Sequence, residues 1–204
     1  MDADGIGGAD ETAGVTTPDR ARRADARRNL DALLQAAMTV FAAAGVDAPV
    51  RQIAEAAGVG VGTVYRHFPQ RSDLIVAVFR REVDACAAAA AVLAAEHPPA
   101  EALSLWMQRF VAFIAAKRGL AAALHSGDPA YEPLPAYFDG HLRPALQRLI
   151  DAGTTAGALR ADIEANDLIR AAASLGGLDA DGGDRARRMV ALLVDGLRYR
   201  AAAR

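Results

Sequence analysis

The groups able to do covalent or metal chemistry are few and scattered. His97, His125 and His141 lie apart, with no HExxH pair or other spacing that gathers metal ligands, and His67 has no partner at ligand spacing either. The single cysteine, Cys86, excludes a disulfide framework and a cysteine-rich zinc site. Its Ala-rich surroundings suit a small inert core residue, with thiol sensing as the sharper alternative. Glycines recur at 58, 60 and 62, but the Lys and Ser/Thr of a phosphate-binding P-loop do not follow them, and no G-x-S-x-G motif occurs. Catalysis, a bound metal and a cofactor are not expected.

Charge points elsewhere. The formal net charge of −2 hides a gradient: residues 1–19 carry five acids and no base, whereas residues 20–81 carry ten Arg against five acids. The rest is mildly acidic, with a balance of −2. A basic block in an acidic chain is an electrostatic footprint for a polyanion, although a solvated Arg-bearing helix face gives the same count. Residues 1–19 have almost nothing to bury and read as a disordered acidic tail. Arg20, Arg22, Arg23, Arg27 and Arg28 follow as a basic arm, suited to phosphates or a minor groove, or simply to a solubilising helix start.

The elements that would carry these groups are helical. Ala makes up 50 of 204 residues, and runs of Val, Ile or Thr are few, which favours helix over sheet. No apolar run approaches the roughly 18 residues of a membrane span, and the acidic N-terminus lacks the apolar core of a signal peptide. A cytoplasmic protein without membrane association is expected. Leu30, Leu33, Leu34, Ala37, Met38 and Phe41 form one helix stripe, ended by Gly45. Two short helices follow, Val50–Ala57 and Val61–Phe68, bounded by Pro49, Gly58 and Pro69. Together these three make a helix-turn-helix unit, with Ile53, Ala57, Val59 and Val64 meeting inside, Ala54 at the close crossing, and Gly58 where the turn needs positive φ.

A long helix is expected from about Arg71 to Ala95, almost pure Ala in its second half and stopped by His97-Pro98-Pro99. Residues 100–117 are apolar over so wide an arc that their helix should be central. A short helix at Gly119–Leu124, a loop over Ser126–Pro135, and helices over Leu134–Ala152, Asn166–Leu175 and Asp184–Arg200 complete the pattern. The last has no polar face in its middle, through Met189, Val190, Leu192, Leu193, Val194 and Leu197. A partner subunit is the simplest cover, with Leu168, Ile169, Ala172, Leu175 and Leu178 supplying the other half; burial within the monomer is the alternative.

The segment Gly58-Val-Gly-Val-Gly-Thr-Val-Tyr-Arg-His-Phe68, preceded by Val50-Arg-Gln-Ile-Ala54 and followed by Ser72-Asp-Leu74, closely resembles the tetracycline-repressor (TetR) family of transcription regulators. The strong match covers about Leu30–Phe79. The resemblance implies an all-α homodimer: an N-terminal three-helix helix-turn-helix DNA-binding domain, a C-terminal helical ligand-binding domain, and dimerisation through the last two helices. It places the recognition helix near Val61, with Gly62 and Thr63 towards base edges or phosphate. Tyr65 and His67 would grip the sugar-phosphate backbone, Arg51 would reach a base or phosphate, and Arg66 and Arg71 are further phosphate candidates.

Two departures stand out. Pro49 replaces the Ser or Thr that commonly caps the second helix, and Gly60, Val61 and Gly62 leave the front of the recognition helix short of hydrogen-bonding side chains. Direct base reading is therefore expected to be sparse, with Arg51 on guanine and Val61 or Thr63 on a thymine methyl, and with DNA shape and the arm carrying much of the selectivity.

Six of the eleven aromatic residues (Trp106, Phe110, Phe113, Tyr131, Tyr137, Phe138) fall within 106–138. They read either as one aromatic core or as the wall of a ligand pocket, with Trp106, Phe110 and Phe113 lining it and Arg109, His125 and Tyr137 as polar anchors. Arg109 would partner an anionic ligand. The expected division is a tail at 1–19, a DNA head at 20–70 and an effector and dimerisation body at 71–204. The expected function is a ligand-responsive repressor of its own or adjacent genes, released from a palindromic DNA operator by an unknown small molecule. The rival is a helical small-molecule binding protein or enzyme that does not bind DNA.

Overall fold

The computed structural model describes residues 18–117, 120–177 and 184–198, without side-chain placement for 18–24, 122, 176 and 177. Residues 1–17 of the expected acidic tail, the side chains of Arg20, Arg22 and Arg23, and Leu178 lie outside the described residues, whereas Pro18 and Asp19, expected in that tail, begin the first helix. Among the described residues there are helices and no strands: α1 (Pro18–Ala44), α2 (Val50–Ala56), α3 (Val61–His67), α4 (Arg71–Glu96), α5 (Pro99–Lys117), α6 (Ala121–Leu124), α7 (Leu134–Thr155), α8 (Ala165–Gly177) and α9 (Asp184–Arg198). The fold is all-α, as the composition implies.

Most element ends fall within a residue or two of the sequence pattern, because Gly and Pro set them. Gly45 (φ +80°) closes α1, and Gly58 (φ +66°) turns the chain from α2 towards α3. Both are in the left-handed region that side chains disfavour. Two boundaries differ from expectation. The first helix starts at Pro18, ahead of the apolar stripe that begins at Leu30, so the backbone of the basic arm is the first part of α1. Its Ala and Arg residues are good helix formers even without an apolar stripe. The loop after α6 also contains a 3₁₀ turn, Pro129–Tyr131, nucleated by Asp128, whose Oδ1 accepts from the Ala130 amide at 2.9 Å.

The head is built on Leu33, Ala37, Phe41, Ile53, Ala54, Val64 and Leu74, all buried. Ala57, Val59 and Phe68 pack partly buried against this core. The long α4 then runs out of the head, and its start is fixed by reciprocal hydrogen bonds between Gln70 and Asp73, which form a capping box. In the body, α5 packs against α4, α7, α8 and α9. Its eight buried apolar residues, from Ala102 to Ile114, make it the central helix. No described helix is long and apolar enough to cross a membrane.

Candidate nucleic-acid interface and effector cavity

The turn between α2 and α3 is held by its own backbone: the Gly58 amide donates to the Glu55 carbonyl at 3.1 Å, and the Val59 amide to the Ala54 carbonyl at 2.9 Å. With Ile53, Ala54 and Val64 turned inward, the other side chains of both helices are left on the surface. Arg51, Gln52, Gly62, Arg66 and His67 are exposed and Thr63 is half-buried. Tyr65 is 52% exposed and Val61 37%, which is unusual for large apolar groups. No side chain caps either helix start: Pro49 and Gly60 occupy the two cap positions.

Arg66 folds back on its own helix, its Nε donating to the Gly62 carbonyl at 3.1 Å. Arg71 is placed differently from the rest of the set. It is half-buried, and its Nη1 donates to the carbonyls of Val46 and of Ala48, the latter at 2.9 Å. A guanidinium spent on two carbonyls ties the α1–α2 loop to the start of α4, so this arginine stands apart from the surface residues with which it was grouped. Further back along α1, Arg27 and Arg28 are exposed.

The six expected pocket residues do not converge on one cavity. Trp106 and Phe110 are stacked with ring centroids 5.6 Å apart, and Phe113 and Phe138 continue the cluster at 6.1 to 6.4 Å. Trp106, Phe110 and Phe113 are buried, and the indole Nε1 donates to the Cys86 carbonyl at 2.9 Å. They pack as an aromatic core and line none of the described cavities, because α5 is apolar on several faces and its large rings meet neighbouring helices. Arg109 lies on another side, exposed beside a groove of about 500 Å³ with Ala85, Ala88, Ala89, Val92 and Leu105. Tyr137 sits at the α4–α7 surface. Its hydroxyl donates to Asp84 Oδ1 at 2.7 Å, its ring stacks on His141 at 4.0 Å, and the Arg80 guanidinium lies 4.9 Å from its centroid. Cys86 is buried, and burial pushes its thiol up to about 12 with the Arg109 charge opposing, which suits the inert core reading better than thiol sensing.

His125 borders a second cavity, of about 300 Å³, and two more of the aromatics expected in a pocket wall, Tyr131 and Phe138, line it together with Phe79, Lys117, Leu124, Leu134 and Pro135. Lys117 is the residue that sequence reasoning passed over. Its signal was visible as one Lys in a chain with 22 Arg. Its Nζ lies 5.7 Å from the Phe79 ring centroid and 5.4 Å from that of Phe138, and burial holds its pKa below the usual lysine value. The Tyr131 phenol is pushed up, first by burial and then by Asp128, with Arg71 opposing. The Arg71 charge is therefore felt at the cavity wall. Among the described residues, no cluster of three or more His, Cys, Asp or Glu groups is placed to hold a metal ion.

Two family descriptions match the chain. Residues 33–78 match "Bacterial regulatory proteins, tetR family", and residues 98–199 match "Transcriptional regulator SbtR-like, C-terminal domain". A TetR transcriptional regulator from Streptomyces coelicolor superposes with a TM-score of 0.74 at 40% identity, covering 84% of this chain and 99% of its own. A TetR transcription regulatory protein from Mycobacterium vanbaalenii gives 0.72 at 36% identity, covering 87% and 99%. An HTH-type transcriptional regulator of Staphylococcus aureus (strain USA300) is 38% identical over 63 residues, 30% of this chain; that match spans about a third (34%) of the relative's own length.

Proposed function

The chain belongs to the tetR family of bacterial transcriptional regulators, and from that premise we propose that it binds a palindromic operator as a homodimer and represses its own or adjacent genes until a small molecule releases it. Catalysis has no part in this reading. The observation that carries it is the surface left by α2 and α3, on which Arg51, Val61, Tyr65, Arg66 and His67 are all exposed while Ile53, Ala54 and Val64 between them are buried. Tyr65 and His67 hold sugar-phosphate, Arg51 reaches a base edge, and Val61, Gly62 and Thr63 lie against the groove floor. Phosphate contacts set the register, and sparse base contacts with DNA shape supply the selectivity. In this reading residues 20–70 are the DNA head and residues 71–204 the effector and dimerisation body.

The dimer half of the reading rests on α9. Ala186, Val190 and Val194 are buried against the body, whereas Leu192 is 63% and Met189 36% exposed. One apolar side of the helix is thus used within the chain and another is left at the surface, as a two-fold contact through α8 and α9 requires. Such a dimer sets two α3 helices in successive major grooves about 34 Å apart.

The test is fluorescence anisotropy on DNA from upstream of the protein's own gene, with Y65A and H67A beside the wild type. Each substitution is expected to weaken binding by about tenfold with an unchanged melting temperature, because both side chains are exposed. Removing residues 1–28 should lower affinity and flatten the salt dependence, since each lost phosphate contact reduces counterion release. Tight binding that neither substitution alters would remove α3 from the interface.

A further inference from the structure

The cavity beside His125 has an electrostatic oddity. Lys117 is half-buried at the end of α5, yet no carboxylate pairs with it among the described residues, and burial is the sole cause of its pKa shift. Every other described cation of comparable burial has oxygen partners: Arg71 holds two carbonyls, and Arg81 holds Glu82 Oε1 at 2.7 Å and Gln35 Oε1 at 3.0 Å. The Phe79 and Phe138 rings supply an attractive but non-directional field, and the three N–H donors of the ammonium have no protein acceptor among the described residues. The same rings, with Leu134 and Tyr131, form apolar walls around about 300 Å³, room for roughly ten water volumes at about 30 Å³ each. A mostly apolar chamber whose described lining holds one lysine, one exposed histidine (His125) and no carboxylate is complementary to a small amphipathic anion.

We propose that this cavity binds an organic carboxylate, with its apolar body between Phe79 and Phe138 and its charge on Lys117 Nζ. The proposal names the effector class for the reading above and rests on its effector half. The carboxylate completes the hydrogen bonding of the ammonium in a low-dielectric setting, where a charge-assisted pair is strongest. A primary amide of the same shape fills the same walls but brings no counter-charge, so the difference between acid and amide isolates the role of Lys117.

The experiment is calorimetric titration of the full-length protein with 4-phenylbutyrate and with octanoate, each beside its primary amide, using wild type, K117M and K117R. At least one carboxylate is expected to bind wild type about tenfold or more tightly than its amide. K117M should bring that ratio close to one, and K117R should keep most of it. The proposal is overturned if acid and amide bind wild type alike, if the preference survives in K117M, or if neither carboxylate binds at millimolar concentration. The acid-to-amide ratio on wild type decides the matter even if a variant folds poorly. Operator binding is read separately. DNA binding with no carboxylate binding removes the site and leaves the DNA reading intact. A carboxylate that binds through Lys117 without changing operator affinity supports the site and removes effector release.

Discussion

The junction between head and body and the cavity in the body each contain a half-buried cation, and the two are treated in opposite ways. At the junction, Arg71 is spent inside the protein on the Val46 and Ala48 carbonyls. In the cavity, Lys117 faces aromatic rings and has no acceptor among the described residues. A planar guanidinium with five donors suits a fixed tie between two segments, whereas a compact ammonium suits a site whose partner comes and goes. A half-buried charge with two carbonyl partners holds segments together, whereas one that faces only rings is free to take a partner from solution. The two regions also adjoin, because Tyr131 forms a cavity wall and its phenol is influenced by Arg71. In the proposed reading, an occupant that moves Tyr131 changes the electrostatic surroundings of Arg71. Its differential affinity for the two head positions is what would shift the population off DNA.

The contrast breaks most readily at Arg71. R71M leaves two carbonyls without their charged donor and should cost about 2–3 kcal/mol by urea denaturation, at the upper end for hydrogen bonds to a charged group. Hydrogen exchange should quicken first around residues 45–57. An R71M protein as stable as the wild type would mean that the tie is ornamental.

Next in size is the turn that aims the recognition helix. Gly58 has φ +66°, and a Cβ there would meet nothing within 4 Å, so G58A adds backbone strain without a clash. A loss of about 1–2 kcal/mol is expected, placing this local device below the Arg71 tie. A larger loss would show that the turn tolerates no adjustment.

The smallest effect has the opposite sign. K117M removes a desolvated charge and should raise the melting temperature slightly, even though it is expected to abolish carboxylate preference. The pH dependence follows from linkage. Burial lowers the folded pKa of Lys117 below 10.5, so just under that pH the unfolded chain binds more protons, and this group makes stability rise with pH. Tyr131 and Tyr137, whose pKa values are raised, oppose it in the same alkaline range. The difference between wild type and K117M therefore isolates the lysine, and it should shrink as pH rises towards 10.5. A K117M protein less stable than wild type would mean that the ammonium is a structural contact.

The head was legible because its information is local. Gly45, Pro49, Gly58 and Pro69 punctuate two seven-residue helices, and the left-handed Gly58 was expected from the turn alone. The start of α1 was not, because residues 18–29 have helix propensity but no apolar stripe to announce it. The cavity was the least legible part, since its walls come from α4, α5, the segments around α6 and the 3₁₀ turn, and α7. An aromatic count cannot tell a ring that faces a cavity from one that faces a neighbouring helix. For Trp106, Phe110 and Phe113 the core and wall readings consequently stood side by side until packing showed them buried together, and Lys117, chemically singular as it is, had no place in the expected site.

Selection of binding sites from a pool of random-sequence duplex DNA tests the central claim most directly. A homodimer reading DNA through α3 should enrich a two-fold symmetric sequence, with half-site centres about 10 base pairs apart or a multiple of that spacing, and Y65A should enrich it far less. A pool that stays random, or an asymmetric site enriched equally by the variant, would contradict it.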